Sequence, residues 1–230
     1  MESTYHDDNF DPTQYPDAGQ TILPQPGEYT VRVTSVGNRK DQSGQPMLTD
    51  GIYPVLTLNR IEIVEPQEES GTFAVFQDVR TKPFERKGQS GQKFRVSSLV
   101  DLTRAIDVDL TTDVAPTLKP DVDGETVEQA VDFVKSNLTS GAVFNVKLGL
   151  KAVDSEAAKA ALEGVPADDY ATRRKVWNEH TYYTKAFKRA DGTYNTAVTT
   201  KDGRTIQGKL IIDSFVPSTG RGKTGPFGRR

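Results

Sequence analysis

Residues 27–36 read Gly-Glu-Tyr-Thr-Val-Arg-Val-Thr-Ser-Val, and this stretch sets the pattern of the whole chain. The apolar residues Tyr29, Val31 and Val33 alternate with polar or charged residues. This period of two is typical of a β-strand that buries one face in a core and leaves the other in solvent. The ordered part of the chain is therefore predicted to begin at Gly27 with a half-buried strand.

Four further segments have strand character, at about 55–64, 73–80, 143–153 and 206–216. A change of apolar phase near residues 59–60 indicates a β-bulge in the second strand. Helical patterns begin at Ser98 and Thr126, between the third and fourth strands, each with a capping-box residue three positions later. In the first of these helices Leu99, Leu102 and Ile106 are predicted to form one buried stripe. The predicted fold is mainly β with α insertions: an OB-fold-like five-stranded barrel with a helix between strands three and four.

Composition divides the chain into three regions. Residues 1–26 are acidic, rich in proline and without a period, so they are predicted to form a flexible arm. Residues 27–216 form the predicted OB-fold-like domain, with an insertion at about 154–200. Within this insertion, the segment 170–187 is ambiguous: Tyr170, Val176 and Trp177 could lie on a helix, whereas residues 181–187 suit a strand. Residues 217–230 are predicted to be a flexible tail rich in glycine and arginine.

The overall composition excludes several classes of protein. The chain has 230 residues, a formal charge of −3 and no cysteine, so disulfides and thiolate metal sites are excluded. It contains no apolar run near the roughly 18 residues that a membrane helix needs, and no secretory signal. We therefore expect a cytoplasmic protein without a membrane partner.

The residues that usually carry catalysis are scarce. The two histidines are His6, in the predicted arm, and His180. Gly222-Lys223-Thr224 imitates the end of a P-loop, but proline stands at position 217, where that motif needs glycine, and too few residues remain for its helix. We predict that the protein is not an enzyme and has no catalytic residue, no metal and no cofactor.

Charge is strongly segregated along the chain. Residues 80–104 carry seven basic side chains against Glu85 and Asp101, although the protein is acidic overall. Phenylalanines are interleaved with these cations, and single-strand binding that tolerates any sequence requires both stacking faces and phosphate-pairing cations. The alternative is that these are solvated faces whose charges happen to cluster.

Two groups of residues are predicted to contact DNA. Phe73 and Phe76 are assigned to the core of the third strand, whereas Phe84 and Phe94 lie in a cationic loop with few apolar neighbours. The first group comprises Arg80, Lys82, Phe84, Arg86, Lys87, Lys93, Phe94 and Arg95. The second group comprises Trp177, Tyr183 and Lys185, which we expect to line the other side of a groove.

Several short motifs resemble a known family. They are Pro26-Gly27-Glu28-Tyr29-Thr30-Val31, Leu56-Thr57-Leu58, Glu62-Ile63, Gly71 with the aromatic strand 73–76, and the Ser-Ser-Leu-x-x-Leu-x-Arg-Ala helix at 97–105. Residues 24–110 resemble the opening of phage-encoded OB-fold single-stranded-DNA-binding proteins. The resemblance implies protection of single strands during replication or recombination, without catalysis. Many such proteins end in an acidic tail that recruits partners, whereas this sequence ends in glycine and arginine.

The predicted function is sequence-independent binding of single-stranded DNA in phage replication or recombination, in the host cytoplasm. The acidic arm could recruit replication or recombination proteins, or could compete with nucleic acid for the basic residues. A homo-oligomer is compatible with the sequence. Two alternatives stay open: a phage structural or assembly protein whose segregated charges join subunits, and a metal-dependent DNA-processing enzyme.

Overall fold

A computed structural model of the protein describes residues 23–41, 43–49, 53–82, 84–87, 93–96, 98–108 and 124–218. The sequence-based predictions for the arm before residue 23 and for the tail after residue 218 lie outside these residues. Within the described part the chain is mainly β, as predicted. The strands are β1 (Gly27–Asn38), β2 (Leu48–Thr49), β3 (Tyr53–Glu65), β4 (Gly71–Arg80), β5 (Phe84–Lys87), β6 (Lys93–Val96), β7 (Val143–Val153), β8 (Thr181–Tyr183), β9 (Ala197–Thr199), β10 (Thr205–Gln207) and β11 (Lys209–Val216).

The helices are mostly short. They are α1 (Ser98–Ala105), α2 (Gly124–Thr139), α3 (Ser155–Ala161), α4 (Tyr170–Glu179) and α5 (Thr184–Phe187). A 3₁₀ turn, Gln67–Glu69, joins β3 to β4. Among the described residues, the structure contains no helix with the length and apolar character needed to span a membrane.

One large antiparallel sheet organises the fold. Its central order is β4–β3–β1–β7–β11, with β2 added to β3 and β8 added to β7. The five long strands are those predicted from the sequence. β4 and β11 lie at opposite ends of this order, yet their Cα atoms come within 8 Å of one another. No ladder of hydrogen bonds joins them in the described structure, so the sheet is curled but not closed.

Alternation along the strands builds the core. The inward side chains of β1 and β3 are almost fully buried, as are those of β7, in which buried and outward residues alternate from Val143 to Leu148. Helix α2 packs across β1 and β3, and α1 packs against β4 and β11. The predicted α1 stripe is confirmed, because Leu99 and Leu102 are buried and Ile106 packs against the core. The sheet therefore keeps one face for the core and leaves the other for solvent.

The predicted bulge in the second strand is confirmed. Pairing between β3 and β4 passes from Leu58–Gln77 directly to Arg60–Ala74. Asn59 on β3 therefore lies opposite two residues of β4, Val75 and Phe76. Such an insertion bends the strand and redirects its side chains.

The structure differs from the sequence-based predictions in three places. The segment predicted as one strand at 206–216 is divided at Gly208 into β10 and β11. β10 pairs with β9, and Gly208 N continues that pairing by donating to Thr196 O at 2.6 Å, whereas β11 pairs with β7 in the large sheet. Residues 181–187 form a short strand followed by a helical turn rather than one strand. The cationic loop after β4 contains the hairpin β5–β6, in which Arg86 pairs with Phe94 and Lys87 with Lys93.

Candidate nucleic-acid interface

Most of the first predicted group lies on and beyond the end of β4. Arg80 is the last residue of this strand and is exposed; Lys82 follows it two residues later and is half-buried. The side chains of six other residues lie outside the described part of the chain, although their backbones form β5 and β6: Phe84, Arg86, Lys87, Lys93, Phe94 and Arg95. The backbone alone therefore brings these six positions together as one hairpin.

The most exposed aromatic residue of the central sheet is Phe76, which the sequence assigned to the core. Phe76 is 69% exposed, whereas Phe73 packs against the core as predicted. The assignment of Phe76 was wrong because alternation from Phe73 through the buried Val75 turns it outward. Its φ of +47° is rare for a bulky residue and is held by the bulge opposite Asn59. Alternation in β4 was the signal that could have identified it.

Two arginines share the outward face of the sheet with Phe76. Arg60 is exposed and lies opposite Ala74, two residues before Phe76, while Arg80 is four residues beyond it. Neither side chain makes a hydrogen bond or ion pair within the described part of the protein. We call Arg60, Phe76 and Arg80 the β3–β4 surface. It presents an aromatic ring between two cations that are free to pair with phosphates.

Two other arginines near this surface are already paired. Arg32 Nη1 lies 3.2 Å from Glu62 Oε2, and Arg39 forms an ion pair with Asp78. Both pairs are partly solvent-exposed, so each contributes little to stability. The free positive charge of the described face is therefore concentrated at Arg60 and Arg80.

The second predicted group is divided between two environments. Trp177 is half-buried in α4, and its carbonyl accepts a 2.6 Å hydrogen bond from Thr181 Oγ1. Tyr183 in β8 is 52% exposed, and Lys185 follows it on the exposed side of α5. Tyr183 and Lys185 line one groove of about 590 Å³, to which Trp177 does not contribute.

Lysines that the sequence analysis missed surround Tyr183. Lys151 pairs with Tyr183 on one side and with Lys209 on the other. The Lys151 ammonium lies 5.8 Å from the centre of the Tyr183 ring, within the range of a cation–π contact. We call Lys151, Tyr183, Lys185 and Lys209 the β7–β8–β11 surface. Lys147 and Lys151 are four residues apart on the outward face of β7, and this spacing was the signal available in the sequence.

A glycine makes room for this surface. Leu150 N donates to Thr184 Oγ1 at 3.1 Å, which fastens the start of α5 to β7. A Cβ on Gly149 would lie only 3.0 Å from that oxygen. The absence of a side chain at position 149 therefore allows α5 to approach β7 and places Lys185 beside the groove.

A groove lined by carboxylates separates the two basic surfaces. It has a volume of about 600 Å³, and its lining includes Glu28, Glu65 and Glu68. The groove lies beside the first residues of β1, which pairs with β3 on one side and β7 on the other. Along β1, the groove therefore lies between the level of Arg60 on β3 and the level of Lys151 on β7. The two basic surfaces are therefore separate in the structure, and they do not form the facing walls of one groove.

A buried phenol lies at the edge of the acidic groove. Tyr29 Oη is 2.6 Å from Glu69 Oε2 and 2.7 Å from Gln25 O. Burial, followed by the hydrogen bond to Glu69, raises the pKa of Tyr29 well above its ordinary value. The phenol therefore stays protonated and holds the chain before β1 against the turn after β3.

Among the described residues, no group of three or more histidine, aspartate or glutamate side chains is arranged to hold a metal ion. Comparisons of the chain with family models, with curated proteins and with solved structures found no match.

Proposed function

We propose that the protein binds single-stranded DNA across the β3–β4 surface, without reading its sequence. The observation that carries the proposal is Phe76, a bulky aromatic held outward at positive φ between two unpaired arginines. An exposed phenylalanine forgoes roughly 1.5–3 kcal/mol of burial energy. Backbone strain at such a position costs a further ~1–3 kcal/mol and tends to occur at functional sites.

Strand order supports an OB-fold interpretation of the curled sheet. β1, β3, β4, β7 and β11 pair in the order expected for OB strands one to five, with α1 and α2 between the third and fourth. The approach of β4 to β11 is where an OB barrel would complete its circle. OB-folds bind oligonucleotides on the face of strands two and three, and the equivalent strands here are β3 and β4.

The proposed binding mechanism needs no catalytic group. Phe76 stacks on a base, which contributes about 1–3 kcal/mol and is insensitive to base identity. Arg60 and Arg80 pair with phosphates on either side of it. The DNA strand then continues toward the β5–β6 hairpin, which follows β4 in the chain and whose sequence is basic and aromatic.

The biological setting is proposed from the sequence resemblance. A non-catalytic protein that covers single strands would act in phage replication or recombination in the host cytoplasm.

Positive charge at Arg60 and Arg80 would draw the DNA in, while the acidic groove beside β1 would keep phosphates off that part of the sheet.

A direct test is titration of fluorescent oligo-dT at two salt concentrations, with duplex DNA of equal length as the competitor. We expect salt-sensitive binding that prefers the single strand. Phe76→Asn should weaken this binding about 5- to 150-fold, the loss of one stacked base. Tyr170→Ala, which removes a 77%-exposed aromatic from α4, is the matched control and should bind normally.

Two outcomes would contradict the proposal. Equal loss in the Phe76 and Tyr170 variants would mean that Phe76 has no special role. Binding that is absent, or indifferent to strandedness, would favour the assembly-protein alternative, in which the charged surfaces join subunits.

A further inference from the structure

The β7–β8–β11 surface carries a like-charge pair that is unfavourable for folding. Lys151 and Lys209 are direct cross-strand partners, and two like charges in this arrangement repel each other. Lys185, which is exposed, adds a third cation at the neighbouring groove, and Tyr183 adds an exposed ring. Lys147, which also lines this groove, is 3.2 Å from Glu28, and Asp213 lies at its edge. A polyanion placed here would relieve the repulsion between Lys151 and Lys209.

The described chain passes beside the same surface where it enters β1. Before that point Leu23 packs against the core, and Gln25 is hydrogen-bonded to Tyr29 and Glu69. Pro26 and Gly27 line the groove together with Tyr183 and Lys185. Gly27 pairs with Leu148, three residues before Lys151 on β7. At about 3.3 Å per residue, the row of Lys151 is roughly 10 Å from Gly27.

Residues 1–22 have the complementary charge. They contain five carboxylates and no lysine or arginine; the acidic residues are Glu2, Asp7, Asp8, Asp11 and Asp17. Tyr5, Phe10 and Tyr15 add aromatic rings that could contact Tyr183. Asp17 is six residues from Leu23, the first described residue, and an extended chain of that length reaches up to about 21 Å. The four carboxylates before Asp17 lie farther from Leu23 along the chain and have a longer reach.

We propose that residues 1–22 dock on the β7–β8–β11 surface of their own chain. Their carboxylates pair with Lys151, Lys185 and Lys209, and the short tether gives an effective concentration on the order of millimolar. The carboxylate groove at Glu28, Glu65 and Glu68 repels the same segment and separates it from the β3–β4 surface. The acidic segment thus neutralises one basic surface and leaves the other open.

The absence of cysteine allows a clean test on the full chain. A nitroxide is attached to Thr13→Cys, and the amide signals of dilute protein are compared before and after the nitroxide is reduced. We expect selective loss of signal at 147–151, 183–185 and 209–213. This loss should disappear at about 1 M salt, where the Debye length falls to about 3 Å. It should also disappear when Lys151→Glu and Lys209→Glu are combined.

Matched variants separate the docking site from general charge. Lys159→Glu combined with Lys201→Glu makes the same charge change at exposed lysines outside the β7–β8–β11 surface, and it should leave the signal loss intact. Lys151→Gln with Lys209→Gln removes the charges without reversing them and should abolish the effect, provided that its unfolding curve matches that of the parent.

Several results would overturn the proposal. They are signal loss concentrated at 55–60 and 74–80, loss that is uniform over the protein, and equal effects of the two double charge reversals. Loss on isotope-labelled chains mixed with nitroxide-bearing unlabelled chains would show docking between copies and would also overturn it. Because no DNA is present, this result is independent of the outcome of the oligo-dT titration.

Discussion

The Arg204 guanidinium lies 2.8 Å from the carboxylate of Asp154, fifty residues earlier in the chain. Asp154 is only 4% exposed, and its other oxygen caps α3 by accepting from Ala157 N at 3.1 Å. Arg204 also contacts Glu156 at 2.9 Å and Asp202 at 2.6 Å. One arginine thereby joins the β9–β10 turn to the start of the insertion after β7.

We predict that Asp154→Ala destabilises the protein, because it removes a helix cap and leaves Arg204 without its buried partner. Loss of the cap alone should lower the free energy of unfolding by about 1 kcal/mol. Urea denaturation followed by circular dichroism measures the change. Asp169→Ala removes the equivalent cap of α4, where the carboxylate has no arginine partner among the described residues, and should cost less. Equal losses would show that the Arg204 contact contributes nothing.

The ion pairs around Arg204 should make the free energy of unfolding depend on pH in the acid range. Hydrogen bonds from Thr200 and then Arg204 lower the pKa of Asp202 from 3.8 to about 2. Because the folded-state pKa is depressed, the carboxylate stabilises the fold above about pH 4, and this contribution is lost as the pH falls toward 2. Asp202→Asn should therefore be less stable than the parent at pH 7, with a difference that shrinks between pH 4 and 2. A difference that does not change with pH would contradict the prediction.

Sequence patterns predicted the elements better than they predicted the surfaces. The five strands, the α1 stripe and the bulge at residues 59–60 follow from local periodicity, which depends only on neighbouring residues. Phe76, Lys151 and Lys209 could not be assembled into surfaces in this way, because their neighbours come from strands far away in the chain. Register between β7, β8 and β11 had to be known before Lys151 and Lys209 could be recognised as partners. The break at Gly208 likewise depends on a tertiary contact, with Phe187 and Thr196.

Gly208 is predicted to tolerate no side chain. A Cβ there would lie 2.8 Å from the Phe187 ring and 2.9 Å from the Thr196 carbonyl oxygen. Phe187 is 2% exposed and has little room to move, so Gly208→Ala should cost roughly 1–3 kcal/mol of unfolding free energy. Gly37→Ala is the control, since its Cβ would come no nearer than 3.9 Å to a neighbour. Thermal and urea unfolding should show the first variant weakened and the second little changed.

Replacements of Phe76 should separate backbone strain from DNA binding. Asparagine accepts positive φ more readily than phenylalanine, so Phe76→Asn should fold at least as stably as the parent. Phe76→Val should be less stable, since a β-branched residue fits that backbone poorly. Both variants should lose affinity for oligo-dT. If Phe76→Val proved as stable as Phe76→Asn, the positive φ at this position would be refuted.

The number of phosphate contacts can be counted from salt dependence. If about five phosphates are neutralised, the logarithm of the binding constant should fall with the logarithm of salt concentration at a slope near −3.5, from ~0.7 per contact on single strands. Arg80→Ala should reduce the magnitude of this slope by about 0.7, because its side chain has no partner to release within the described protein. Arg39→Ala is the control: its guanidinium is already paired with Asp78, so it should change the slope less. Equal changes in both variants would mean that the ion pair opens on binding and that Arg39 also reaches the phosphates.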